Sequence, residues 1–328
     1  MRPAPELVDR FARDLDALIP ARERIGVAVS GGPDSLALLL LAAAARPGLV
    51  EAATVDHALR SESREEAEMV AGVCAHLEVP HEILTVEWEG RPETAIQERA
   101  RAERYRLLGN WVKRRELAAL VTAHHLDDQV ETFVMRLTRG AGVKGLAGMR
   151  PVAAIPGSEL ALARPLLGWR RSELERLCAD AGVEPISDPS NVDAQFERVR
   201  VRRGLAEVDG FDVEAAARSA AHLADADAAL AWAVTEEWKR AVTASDAEIS
   251  YRPADAPREI LRRIASRAVT ALASEGEGAE LRGGELDRLL DTLQSGHRST
   301  LRGVLCTGGT EWRFVSAPKR TGRGRNLR

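Results

Sequence analysis

The sequence predicts an α/β protein with a doubly wound parallel sheet and a smaller, largely helical C-terminal region. Three observations carry that reading. Short apolar runs alternate with helical stretches through the first half of the chain, the pattern of strands joined by crossover helices. A Gly-rich turn, Ser30-Gly-Gly-Pro-Asp-Ser35, stands between the first such run and an apolar helix. After about Leu205 the alternation gives way to alanine at helical spacing. At 328 residues the chain exceeds one usual domain. The predicted division is a doubly wound domain at 1–205, a helical linker at 206–244 and a small α+β region at 245–328.

The elements follow in order. An amphipathic helix is expected from Glu6 to Leu18, then a strand from Ile25 to Val29, the Gly-rich turn and the helix Leu36–Ala45. Leu49–Val55 reads as a buried strand ending at Asp56, Ser63–Leu77 as a helix and Val79–Val86 as a third strand. A long arginine-rich helix is expected over 94–116, a strand over Leu117–Thr122 and a helix over Leu126–Leu137. Arg139–Met149 carries four glycines and reads as a loop. A strand at Leu160–Leu166 and a helix at Arg171–Ala181 complete the first domain. Beyond it, Ala215–Val242, Arg258–Ala273 and Glu285–Leu293 are helical in pattern, and Leu301–Leu305 with Thr310–Val315 read as a hairpin around Gly308-Gly309.

Composition narrows the classes. Aromatics are only 4%, so the core is expected to be mainly Leu, Val and Ala. The longest apolar run, Leu36–Ala45, is about half of what a membrane crossing needs, and Arg2, Pro3 and Pro5 leave no signal-peptide core after Met1. Cys74, Cys178 and Cys306 are too far apart for a metal cluster or disulfide framework. A cytoplasmic protein without a membrane partner is the simplest expectation. Net charge is −4, so bulk charge does not suggest nucleic acid; local patches do. Arg198, Arg200, Arg202 and Arg203 lie within six residues, and the tail from Lys319 to Arg328 has no acid. Either patch tracks a phosphate backbone or is a solvated surface.

The Ser30–Ser35 turn is the sharpest local signal. Gly31 and Gly32 permit positive φ and close approach of backbone N–H groups to an anion, and the following helix start adds free amides. Gly-Lys-Ser/Thr is absent, so it is not a Walker A loop; Gly-x-Gly-x-x-Gly is absent too, so it is not a dinucleotide fingerprint. The bland alternative is a tight turn in which Asp34 or Ser35 merely caps the helix. The string resembles the pyrophosphate-binding loop of the ATP pyrophosphatase superfamily, which splits ATP into AMP and pyrophosphate. Asp56-His57 ends the next strand at the sheet edge where such folds bind ligands, with a helix cap as its plain alternative.

A second constellation, His124-His-Leu-Asp-Asp-Gln-Val-Glu-Thr132, follows the fourth strand. On a helix, His124, Asp128 and Glu131 share one face. His-Glu-x-x-His spacing is missing, so a zinc site is disfavoured. An acidic, imidazole-bearing cleft suits a cationic substrate and proton transfer. Taken with Asp56–Arg60, Ala100-Arg101-Ala-Glu-Arg104-Tyr105, Arg139-Gly-Ala-Gly142, Arg164-Pro-Leu-Leu167 and Asp188-Pro-Ser-Asn191, the chain resembles the tRNA(Ile)-lysidine synthetase family from about Ser30 to Arg203. Gln97 and Arg198-Val-Arg200 depart from the usual Glu and Arg-Asn of that family.

The resemblance implies an adenine nucleotide alpha hydrolase-like fold and a ligase. Its implied substrates are ATP, free L-lysine and an isoleucine tRNA with a CAU anticodon, whose wobble cytidine becomes lysidine. It implies that Ser30, Gly31, Gly32, Pro33, Asp34 and Ser35 hold the phosphates, with Asp34 placing Mg2+ and Asp56 and His57 near the nucleoside. Asp128 and Glu131 would bind lysine, His124 would join them in catalysis, and Arg101 and Arg104 would steady substrate. Arg139, Arg198, Arg200 and Arg202 become candidate tRNA contacts. No protein-bound zinc or iron–sulfur cluster is expected. The alternatives are a cytidine-thiolating relative, which typically needs paired cysteines, and a nucleotide sensor that releases no pyrophosphate.

Overall fold

The structure is a computed structural model, and it describes residues 1–59, 62–88, 95–186, 193, 195–273, 281 and 283–316. Arg60, the Asp188–Asn191 string and the basic tail from Lys319 lie outside the described residues. The chain divides into two compact units, Met1–Ala224 and Asp225–Arg328.

In the first unit, α1 (Pro5–Asp16) precedes an alternation of strand and helix: β1 (Ile25–Ala28), α2 (Pro33–Ala45), β2 (Val50–Asp56), α3 (Glu62–His76), β3 (His81–Thr85), α4 (Ile96–Arg114), β4 (Ala119–Val121) and α5 (Leu126–Leu137). There follow α6 (Val143–Leu146), β5 (Val152–Ala154), β6 (Ala161–Ala163), α7 (Arg171–Asp180), α8 (Glu197–Glu207) and the start of α9 (Val213–Ala241). The strand order is β3-β2-β1-β4-β6-β5, parallel except for β5, which runs antiparallel to β6.

That order reverses at β1. The chain moves outward from β1 through β2 to β3, then crosses to the other side of β1 to lay down β4. The carboxyl ends of β1 and β4 therefore flank a topological switch point, the place where open α/β sheets bind ligands. The Gly-rich turn leaves β1 there, and the His124-His125 pair leaves β4.

Burial explains why these segments form these elements. In β1, Ile25 and Val27 are wholly buried, as expected of a parallel strand covered on both faces. Residues Ser35 to Ala42 of α2 are all buried, so the helix is apolar all round rather than amphipathic. Gly26 is required by packing: a Cβ there would meet the Trp111 ring at 2.5 Å. Three tryptophans, Trp111, Trp169 and Trp312, are among the largest fully buried side chains, so the few aromatics are concentrated in the interior rather than absent from it.

One local expectation is corrected. The Arg139–Met149 loop contains a helical turn, α6. The arginine cluster after Glu197 is helical, and its i, i+4 spacing puts Arg198 and Arg202 on one side of α8.

The second unit pairs the rest of α9 and two further helices with a five-stranded sheet. These are β7 (Val242–Ala244), β8 (Glu248–Tyr251), α10 (Arg258–Leu272), α11 (Gly283–Gln294), β9 (Arg298–Leu301), β10 (Val304–Thr307) and β11 (Trp312–Ser316). The order β7-β8-β11-β10-β9 is antiparallel throughout. Ile264, Leu290, Phe314 and Tyr251 lie in its core. The hairpin around Gly308-Gly309 is present as β10–β11. The expected strand Leu301–Leu305 is instead interrupted by a turn, because Arg302 and Gly303 adopt φ of 50° and 70°. Among the described residues no helix is long and apolar enough to cross a membrane.

Candidate active site

The turn after β1 is held open by its own side chains and by two neighbours. Ser30 N–H donates to Ser35 Oγ at 3.1 Å, and Ser35 Oγ donates to Gly32 O at 3.0 Å. Gly32 is the residue before the first turn of α2 and Pro33 occupies that turn, where its missing N–H costs nothing. Gly31 has φ of 85°, and a Cβ on it would overlap Ile186 Cδ1. From outside, Ile186 N–H donates to Gly31 O at 2.9 Å and Cys178 Sγ–H donates to Pro33 O at 3.3 Å. With those carbonyls engaged from behind, the free amides at the α2 N-terminus are left for an anion.

Asp34 sits in that first turn. Its Oδ1 is buried with no hydrogen-bond partner among the described residues. A buried carboxylate oxygen without a partner is costly, and a hard cation would satisfy it. The described residues contain no group of three or more His, Cys, Asp or Glu able to hold a metal alone. One carboxylate beside Ser30 and Ser35 hydroxyls fits magnesium, which is commonly held by one or two carboxylates and the substrate's phosphates.

Across the switch point, β4 is followed by Thr122, Ala123 and the two histidines. The structure corrects the sequence reading here: α5 begins at Leu126, so His124 precedes the helix instead of sharing a face with Asp128 and Glu131. His124 Nδ1 is 2.9 Å from Thr122 Oγ1. Burial lowers its pKa to about 4, with Asp128 opposing and Arg164, Arg101 and Arg198 assisting. The imidazole is neutral at physiological pH. His125 is the N-cap: its N–H donates to Asp128 Oδ2 at 3.2 Å and its Nδ1 accepts from Asp128 N–H at 3.4 Å.

Arginines from α8 meet the acids of α5. Arg198 Nη1 is 3.1 Å from Asp128 Oδ1, and Arg198 Nη2 donates to Thr132 Oγ1 at 3.2 Å. Arg202 Nε donates to Glu131 Oε1 at 2.6 Å. Glu131 is 3% exposed and stands behind the cavity wall rather than on it. Each of the two acids thus has a guanidinium group beside it in a largely buried place.

On the β2 side, Asp56 is buried, and its Oδ1 accepts the Ala58 N–H at 2.8 Å. His57 faces Arg104, 3.4 Å from its Nε2 to Nη2. Burial and then the Arg104 charge hold the His57 pKa down at about 4, against Asp56. Arg101 lies over the Tyr105 ring at 5.0 Å.

These groups open on one cavity of about 760 Å³, within the usual range for a ligand site. Ser30, Asp34, His57, Arg101, Arg104, His124, Asp128, Arg198 and Arg202 line it. Gly31, Asp56 and Glu131 are not among its lining residues, and two further candidates pair elsewhere: Arg139 with Glu197, and Arg200 by donating to Gln195 O at 2.8 Å. Residues the sequence reading did not single out also line it, including Thr54, Glu66, Tyr105, Arg171 and Phe196. Tyr105 was visible as the aromatic beside Arg101; Arg171 and Phe196 had no local signal.

Residues 7–208 match the PP-loop domain family. A tRNA(Ile)-lysidine synthase of Novosphingobium aromaticivorans is 47% identical over 312 residues, covering 94% of each chain. The chain belongs to the tRNA(Ile)-lysidine synthase family. The synthase of Zymomonas mobilis is 41% identical, with 92% of this chain and 91% of that one covered. Among solved structures, a U34-tRNA thiolase of Methanococcus maripaludis aligns with a TM-score of 0.54 at 15% identity, covering 67% of this chain and 80% of that one. That likeness shows the fold of the nucleotide-handling unit. Membership of the synthase family makes the chain an ATP-using ligase of the PP-loop type.

Proposed function

We propose that this synthase adenylates the wobble cytidine of a CAU-anticodon isoleucine tRNA and joins free L-lysine to it, forming lysidine. The observation that carries the reading is the shared cavity. The PP-loop and the acid-bearing start of α5 flank one switch point, so the group that releases pyrophosphate and the group that receives an amine face the same space.

The chemistry divides accordingly. The cytosine carbonyl oxygen is a poor leaving group until it attacks the α-phosphorus of ATP and pyrophosphate departs. Ser30, Ser35 and the amides of Gly31 and Gly32 hold the pyrophosphate, and Asp34 Oδ1 is the oxygen offered to magnesium. Magnesium would supply neutralisation of phosphate charge there. Lysine's amine, with a free pKa of about 10.4, arrives as ammonium. Asp128, backed by Glu131, receives it, sharing its charge with Arg198. The amine, once deprotonated, attacks the activated carbon and AMP leaves. His124 is neutral and stands in the same cavity as a proton acceptor. Arg101 and Arg104 are cations on the opposite wall, suited to phosphate, and Asp56 and His57 lie toward the nucleoside. Arg139 and Arg200, outside the cavity, are proposed to meet tRNA phosphates.

The cysteines support this reading over sulfur transfer. Cys74, Cys178 and Cys306 are all buried, and burial pushes their thiols up to about 12, 11 and 12, the reverse of what a sulfur carrier needs. The test is an omission series with purified protein, Mg2+, ATP, labelled lysine and unmodified tRNA. Label enters tRNA only when every component is present; incorporation without ATP, or none with all of them, refutes the proposal.

A further inference from the structure

His125 has no part in the chemistry above, yet it is 1% exposed and lies between the two acids that do. Its Nδ1 accepts the Asp128 N–H, completing the N-cap of α5. Its Nε2 is 3.5 Å from Asp34 Oδ2 and 3.6 Å from Asp128 Oδ2. Its third acidic neighbour, Asp127, is engaged elsewhere: Oδ1 by Arg170 at 3.2 Å and Oδ2 by the Arg171 N–H at 2.8 Å.

A cap alone does not call for this residue. Ser, Thr, Asp and Asn cap helix N-termini best, with a short side chain that reaches one amide. An imidazole performs that task with one nitrogen and carries a second nitrogen on the far side of the ring. Here that second nitrogen faces the PP-loop acid, across the gap between β4 and β1. Asp34 has two oxygens: Oδ2 toward His125 and Oδ1 buried without a described partner. A carboxylate with one oxygen lying 3.5 Å from an imidazole nitrogen presents the other in a set direction. The same residue fixes Asp128 reciprocally: its ring Nδ1 accepts the Asp128 N–H, and its backbone N–H donates to Asp128 Oδ2.

We infer that His125 is a positioning residue. It ties Asp34 of the PP-loop to the first turn of α5, setting the direction in which Asp34 Oδ1 meets magnesium pyrophosphate and the distance from there to Asp128. The inference rests on the roles proposed above for Asp34 and Asp128.

Two substitutions separate the halves of the ring. His125→Asn keeps a capping atom where Nδ1 stands but ends short of Asp34. His125→Gln extends an amide N–H toward Asp34 while capping poorly. Calorimetric titration with magnesium pyrophosphate reads the Asp34 side, and thermal melting reads the cap. The expected result is that His125→Asn melts within a few degrees of the natural protein and binds magnesium pyrophosphate about tenfold more weakly, or worse, as for loss of a hydrogen bond to a charged group. His125→Gln melts lower and yet binds more tightly than His125→Asn. Natural affinity in His125→Asn overturns the inference, as does a ranking of affinities that merely follows melting temperature. If His125→Asn does not fold, His125→Gln decides: affinity within about threefold of the natural protein despite a lowered melting point supports the inference, and a larger loss overturns it. The titration involves neither tRNA nor lysine. A natural protein that binds magnesium pyrophosphate but makes no lysidine therefore fails the proposed function without deciding this point.

Discussion

Replacing Asp128 by Asn removes one charge and almost no volume, so it isolates what the carboxylate does. At the 3.1 Å separation from Arg198, a charge pair has a Coulomb energy of about 5 kcal/mol at an effective dielectric of about 20. Most of that is returned as desolvation, because the Asp128 side chain is only 14% exposed. An ammonium arriving at the same carboxylate meets similar terms and competes with Arg198, leaving a net of about 1.5–3 kcal/mol for a hydrogen bond to a charged group. Asp128→Asn should therefore lower kcat/KM for lysine by roughly 10- to 150-fold. The amide oxygen can still accept the His125 N–H, so the capping box survives in part and stability should fall by no more than about 1 kcal/mol. The assay is lysine incorporation into tRNA at saturating ATP and tRNA, with urea denaturation as the stability control. An unchanged kcat/KM for lysine in a folded variant would refute Asp128 as the amine's seat.

Three other outcomes follow from the same geometry. Gly31→Ala forces a side chain onto φ of 85° and into Ile186; it should raise KM for ATP at least tenfold and destabilise by roughly 1–3 kcal/mol, read by initial rates and a melting curve. His57 and His124 both have folded pKa values near 4, below the ordinary value of about 6.5. The unfolded chain then binds protons that the folded one does not, so their contribution is intact above pH 6.5 and is lost as pH falls toward 4. The urea midpoint should drop across that window, and the drop should shrink in a His57→Gln, His124→Gln protein. Arg139→Gln and Arg200→Gln should each weaken tRNA binding with little effect on ATP use, lowering the slope of log K against log salt by about 1 if each meets a phosphate; filter binding at several salt concentrations measures it.

The parallel sheet was legible because its strands are continuous apolar runs bounded by turn residues, and membership of the PP-loop family because the Ser30–Ser35 string is unusual. In that sheet the strand that escaped, β5, has three residues and two of them exposed, so it carries no apolar run to detect; in the second unit β7, β8 and β9 escaped as well. Helix α8 was hidden by its composition: arginine at four of its eleven positions reads as a charged patch, and the i, i+4 pair Arg198 and Arg202 becomes meaningful only opposite α5. The histidine pair shows a subtler limit. The helix was expected from Leu126 and begins there, but helical spacing grouped His124 with Asp128 on one face, whereas His124 precedes the helix and His125 caps it. The relation of Asp128 to the residue three before it is a capping-box signal, but histidine is not the usual partner and the signal passed unread. The tight turn at Arg302-Gly303 was missed because Leu301 before it and Val304-Leu305 after it read as one run.

The central claim is that ATP is spent on one cytidine and that lysine ends there. It is tested most directly by digesting reacted tRNA to nucleosides and weighing the residue at the wobble position. The account predicts lysidine in place of cytidine there, dependent on ATP and lysine, and no product on a tRNA whose wobble base is uridine. Lysine found at another position, or a wobble cytidine of unchanged mass after full consumption of ATP, would contradict it.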